Sequence, residues 1–163
     1  MNSRFEEFYL RANVLKTNPH IKNFFDKLFE IEKTVKSVLE ILVDWTIFQR
    51  NWLYLNGIFS KSEISKQLAT EVRAFTNLDS TFKATIKSIV QQPQVYKISQ
   101  RENFLNGLKK MNSDSDTIRA GLTVFLEQKR DSFPRLFFIS NEELIELFGK
   151  ADKIIEQLIQ GRP

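Results

Sequence analysis

From Ile21 onward, apolar residues recur in steps of three and four: Ile21, Phe24, Leu28, Ile31, Val35, Val38, Leu42 and Trp45, then Gln49 and Trp52. That spacing puts them on one face of an α-helix. Asn18-Pro19 supplies a capping side chain and then a proline whose missing N–H costs nothing in a first turn. Phe25, Leu39 and Val43 widen the stripe, and no proline or glycine interrupts it before Gly57. The pattern predicts a first long helix over about 19–55, roughly 50 Å long at 1.5 Å per residue.

Ser60 and Glu63 have the spacing of a capping box. They predict middle helices over about 61–92, the first carrying Ile64 and Leu68 and the second capped by Thr70. The second has the stripe Val72, Phe75, Asp79, Phe82, Ile86 and Ile89, and Pro93 ends it by disfavouring helical geometry at Gln92. A third long helix is expected over about 94–131. A turn bearing Val95 and Ile98 precedes its stripe, which is Phe104, Leu108, Met111, Ser115, Ile118, Leu122 and Phe125. Side chains between Asn112 and Asp116 compete for backbone hydrogen bonds, yet the register runs through them, so the helix is read as continuous. Lys129 and Arg130 then complement its dipole.

The stretch from Phe133 to Asn141 breaks this rhythm. Pro134 stops the helix, and Leu136, Phe137, Phe138 and Ile139 form an apolar run too short for a helix and rich in β-favouring types. An extended joint or short strand over 133–140 is expected, with at least two of Phe137, Phe138 and Ile139 well buried. Ser140 and Glu143 form a second capping box, which restarts the chain as short helices over 141–160, with Gly149 placed to end the first of them. The fold class predicted is all-α. It is an elongated multi-helix bundle of long antiparallel helices with one short extended segment near 135–139, in a single domain over 1–163.

Composition excludes more than it assigns. The longest apolar run, four residues, is too short to span a bilayer, and Met1 to Glu7 lacks the apolar centre of a signal peptide. There is no cysteine, and His20 is the only histidine, so neither thiolate chemistry nor a metal site is expected. The five glycines are isolated and form no phosphate loop, and no serine sits in a nucleophile elbow. The net charge of +4 would suit nucleic acid only if basic residues gathered on one face. Lys109-Lys110 and Lys129-Arg130 are the only adjacent basic pairs, which reads as solvated helix surface. Asp79 is the one acid inside an apolar stripe, where pairing or capping is the ordinary role and catalysis the exceptional one. Trp45 and Trp52 lie seven apart with Gln49 between them, as core residues or as a partner-binding hot spot. No catalytic, cofactor-binding or metal-binding residue is assigned.

Two stretches go beyond generic helix. "WTIFQRNWLYLNGIF" (Trp45 to Phe59) resembles the W-x-x-x-Q-R-x-W-x-Y-L-x-x-I-F pattern of the dynein heavy chain linker. "EQKRDSFPRLFFISNEELIEL" (Glu127 to Leu147) is similar to that family's K-R-x-x-F-P-R-F-x-F-x-S-N-x-E-L-L-E-I segment, and the chain between them also resembles the family in spacing. The positions that carry the likeness are Trp45, Gln49, Arg50, Trp52, Tyr54, Ile58, Phe59, Phe75, Asp79, Phe133, Pro134, Arg135, Phe137, Phe138, Ser140 and Asn141. Phe82 stands where the family tends to have tryptophan, Ala69 where it has proline and Leu136 where it has phenylalanine.

The resemblance implies a mechanical part rather than an enzyme: a piece of the lever that moves across the AAA+ ring of an ATP-driven microtubule motor. ATP and Mg would bind elsewhere in that parent, with no cofactor in this chain. The implied partners are the ring, the remaining linker helices and accessory dynein chains, with no nucleic acid and no membrane. The implied location is cytoplasmic and cytoskeletal, including the axoneme or cilium. The competing reading is a helical interaction scaffold or coiled-coil adaptor unrelated to dynein, for which sustained heptads argue. Fifteen phenylalanines in stripes separated by breakers suit packing of unlike helices better than a zipper.

Overall fold

The computed structural model describes residues 2–17, 24–101, 103–148 and 150, and among them every regular element is helical. α1 spans Asn2–Lys16, α2 Phe25–Phe59, α3 Ser62–Gln67, α4 Ala69–Gln91, α5 Val95–Ser99 and α6 Phe104–Ser132. A 3-10 helix follows over Pro134–Phe138, and α7 covers 141–148. The all-α class is as expected. Packing divides the chain into two compact units, Met1–Gln49 with Lys83–Asn112 and Arg50–Phe82 with Ser113–Pro163, a finer organisation than the one domain read from the sequence.

The first unit buries Ala12, Leu28, Val38, Ile41, Phe48, Ile98, Leu108 and Met111. Lys16 of α1 pairs with Glu32 of α2, and the Asn112 amide donates to the Asp44 carbonyl at 3.0 Å. In the second unit consecutive long helices run antiparallel. Trp52 meets Asp79 and Phe82, whereas Phe59, one stretch further along α2, meets Phe75. Its core joins Ile58, Ile64, Leu68, Leu122, Phe125, Leu126, Leu144 and Ile145, with Tyr54, Phe59, Leu136, Ile139 and Phe148 packed against it.

Several expectations are corrected. α2 passes through Gly57 and ends at Phe59, since an isolated glycine costs a helix only about 1 kcal/mol and the anchored Ile58 follows it. The start expected at Asn18-Pro19 lies outside the described residues, as do Gly149 and the continuation beyond 150. The buried residues of α2 are Leu28, Val38, Ile41, Phe48, Asn51, Leu55 and Ile58, so Leu28 and Val38 of the expected stripe are buried while Phe24 and Ile31 are exposed. α2 carries more apolar residues than one stripe holds, and the register through polar Gln49 loses to the one through Phe48 and Leu55. The Ser60 hydroxyl turns back to the Asn56 carbonyl, and Lys61 is the N-cap of α3 without a side-chain cap bond. Thr70 lies inside α4 rather than capping it.

The helix expected over 94–131 is two helices. Asn103 adopts a positive φ of 65°, a conformation asparagine tolerates better than most residues, and this separates α5 from α6. The rest of that reading holds: α6 continues through Asn112 to Asp116, and its stripe from Leu108 to Phe125 is buried, including Ser115 at 0% exposure. The joint is not an extended segment. Leu136 N–H donates to the Phe133 carbonyl at 2.8 Å and Ile139 N–H to the Leu136 carbonyl at 3.3 Å. Pro134, at the first turn with φ already suited, winds the chain into 3-10 geometry, and only Ile139 behind it is extended (φ −116°, ψ 147°).

Candidate functional site: the helix joint and the motif cluster

The joint's apolar residues divide by position. Leu136 and Ile139 pack on the second unit's core, three apart on one side of the 3-10 turn. Phe133, Phe137 and Phe138 are 66%, 60% and 91% exposed, so the expected burial of at least two of Phe137, Phe138 and Ile139 is not met. A single tight turn has one inward side and cannot bury four consecutive side chains. What fixes the joint instead is Arg130. Its Nε donates to the Leu136 carbonyl at 3.4 Å and its Nη2 to the Ile139 carbonyl at 3.0 Å. One planar guanidinium thereby ties together two carbonyls, that of Leu136, which also accepts from Ile139 N–H, and that of Ile139 beyond the turn.

Immediately beyond, the capping box is reciprocal. Ser140 N–H donates to the Glu143 carboxylate at 2.9 Å, and Glu143 N–H to the Ser140 hydroxyl at 3.2 Å. The backbone bond from Ser140, then its side-chain bond, hold the Glu143 carboxyl below the usual carboxylate range. Glu146 is also lowered, by its hydrogen bond and charge interaction with Lys150.

The residues of the first motif sit on both units. Trp45 is half-buried and Gln49 exposed, both in the first. Trp52 is half-buried in the second: its indole N–H donates to Asp79 Oδ1 at 3.2 Å, and its ring meets Phe82 at a centroid distance of 5.2 Å. Asp79 therefore has a structural partner on the neighbouring helix. Ile58 and Phe75 are buried, and Phe59 stacks on Phe75 at 5.3 Å. Arg135 is exposed beside the joint's phenylalanines.

Arg50, Tyr54 and Asn141, from motifs some ninety residues apart, line one cleft of about 390 Å³ with Asn51, Arg119, Leu122, Thr123, Leu126 and Glu142. Arg119 donates from Nη1 to Asn51 Oδ1 at 3.2 Å, and its guanidinium lies 5.9 Å from the Tyr54 ring centroid. Burial, and then the Glu142 carboxylate, push the Tyr54 phenol up, against a smaller lowering by Arg119. Asn51, Arg119, Arg130 and Glu142 are the residues sequence reading missed. Asn51 had a signal, as a polar residue three positions beyond Phe48 on a dense apolar face; Arg130 was read only as a dipole complement.

Among the described residues no group of His, Cys, Asp and Glu is arranged to hold a metal ion, and no helix is long and apolar enough to cross a membrane. The architecture defines a helical packing element, in which Trp52 with Asp79, Phe59 with Phe75, and Arg130 with the joint fix one element against the next. The chain belongs to the dynein heavy chain family: residues 2–160 match the model for dynein heavy chain, N-terminal region 2. Relatives include dynein axonemal heavy chain 10 of Homo sapiens, 31% identical over 134 residues, which is 82% of this chain and 3% of that protein. Dynein axonemal heavy chain 1 of Rattus norvegicus is 31% identical over 146 residues, 90% of this chain and 3% of that protein. Dynein axonemal heavy chain 12 of the same organism is 31% identical over 142 residues, 87% and 5%. The chain thus spans only a few per cent of the length of these relatives.

Proposed function

We propose that this chain is a linker segment of a dynein heavy chain, a non-catalytic lever element in an ATP-driven microtubule motor. The match over 2–160 supports the family, and the Arg130-clamped joint is the observation that favours the lever. A lever transmits force only if its fixed joints are stiffer than its moving one. A guanidinium holding two backbone carbonyls, followed by a reciprocal capping box, makes a stiff joint.

The exposed Phe133, Phe137 and Phe138 are the proposed contact with the remainder of the heavy chain, its AAA+ ring or further linker helices, because a cluster of exposed aromatics marks an interaction surface. ATP and Mg act elsewhere in the parent, and this segment binds neither. The axonemal relatives favour a place in the axoneme or cilium. The test is Arg130→Ala in a heavy chain carrying this segment. Microtubule gliding should slow severalfold while nucleotide binding by the ring is kept; unchanged gliding would reject the lever reading.

A further inference from the structure

We propose that the cleft between α2, α6 and the first turn of α7 is a carboxylate-binding site, taking an aspartate or glutamate side chain presented by another polypeptide segment. This inference is independent of the lever reading. The cleft lies wholly within the second unit and brings together Arg50, Arg119, the Tyr54 phenol and Asn141 over a floor that includes the buried Leu122 and Leu126.

Contacts within the fold engage only part of this cluster. Asn51, 7% exposed, spends its carbonyl oxygen on Arg119 and so orients that guanidinium. Arg119 also lies over the Tyr54 ring and 3.8 Å from Asp116, beyond hydrogen-bond range. Among the described residues the Nε and Nη2 groups of Arg119, the guanidinium of Arg50 and the phenol O–H of Tyr54 make no hydrogen bond to the protein. These groups donate and do not accept, apart from the phenol. A planar carboxylate accepts from two guanidinium N–H groups side by side, which is the geometry an oriented arginine fork offers. The Tyr54 phenol, protonated at neutral pH, is a further donor.

The acidic residue at the rim narrows the ligand. Glu142 lines the same cleft, and its charge opposes a dianion more than a monoanion. Phosphate is disfavoured on that ground, and an apolar floor suits the methylene stem of an acidic side chain. Arg50 and Arg119 would bind the carboxylate directly, and Asn51 acts as a positioning residue.

The probe is sodium pentanoate, a monocarboxylate with an apolar stem, titrated into the full chain at ionic strength held constant with sodium chloride. Arginine Nε–H signals are followed by NMR. The expected result is saturable shifts at Arg50 and Arg119, with phosphate binding more weakly. Arg50→Gln, at an exposed residue that holds no helix in place, should weaken pentanoate about tenfold, the loss of a charge-assisted hydrogen bond. Arg119→Lys should weaken it similarly, since charge is kept and the fork lost. Shifts that fail to saturate, phosphate binding as tightly as pentanoate, or Arg50→Gln binding like the unaltered chain would each overturn the proposal.

Discussion

The two connections that flank α6 are both held by an arginine, and in different ways. Before α6, Arg101 reaches back to α4, donating to the Ser88 hydroxyl at 2.6 Å and, at 3.3 Å each, to the Ser88 carbonyl and the Gln92 side chain. These bonds are exposed, so water competes for every partner. After α6, Arg130 donates to two main-chain carbonyls of the 3-10 turn in a part-buried setting. Removing the second arginine takes the Ile139 carbonyl's donor away in a part-buried place, whereas removing the first exchanges protein bonds for water. The same residue type therefore decorates one connection and fixes the other.

Both connections also rest on apolar anchors, and here they are alike. Ile98 of α5 is 5% exposed and Leu144 of α7 is fully buried. Ile98→Ala and Leu144→Ala should each cost about 2–5 kcal/mol in urea unfolding. A large cost at Leu144 with none at Ile98 would mean the first connection is not anchored at all.

The capping box sharpens the contrast, because the second connection has one and α5 has no side-chain cap. Ser140→Ala should cost roughly 1 kcal/mol, whereas Gln94→Ala, at the N-cap of α5, should cost close to nothing. Thermal melts of the two variants decide it.

Acid should act on the second connection too. The Glu143 pKa is lower folded than unfolded, so between those values the unfolded chain binds more protons and stability rises with pH. The contribution is present above the ordinary carboxylate range near 4.3 and is lost as pH falls through the depressed folded value. Glu143→Gln should flatten that part of the pH–stability profile; a profile unaltered by the substitution would contradict the sign. The smallest effect is expected at the exposed aromatics. Phe137→Ser with Phe138→Ser should shift stability by no more than about 1 kcal/mol, since neither side chain is part of the core. A larger loss would show that these rings hold the joint after all.

What the sequence made legible follows the same division. The end of α6 was readable because Pro134 cannot continue a helix, and the Ser140-Glu143 box because its chemistry is local. The α6 stripe was readable because Leu108, Met111, Ile118 and Leu122 leave only one register. The gap between α5 and α6 was not, because it depends on Asn103 taking a positive φ, which its neighbours do not announce. The face of α2 was misplaced because Phe48 and Leu55 compete with Trp45 and Trp52, and neighbouring helices decide between them. The joint was mistaken for extended chain because composition cannot distinguish a strand from a 3-10 turn over four residues. Its clamp, Arg130, is a tertiary contact with no local signature, and so are the partners gathered around Arg119.

Arg130 makes the second connection rigid, while Arg101 leaves the first replaceable. This difference is tested most directly by amide hydrogen exchange at Leu136 and Ile139, whose N–H groups close the 3-10 turn. In Arg130→Ala these two amides should exchange at least about tenfold faster, one decade for each 1.4 kcal/mol of lost local stability. In Arg101→Ala, the Arg101 and Phe104 amides that close the turns before α6 should stay within about threefold of their original rates. Equal acceleration at both connections, or unchanged exchange at Leu136 and Ile139 without Arg130, would contradict the account.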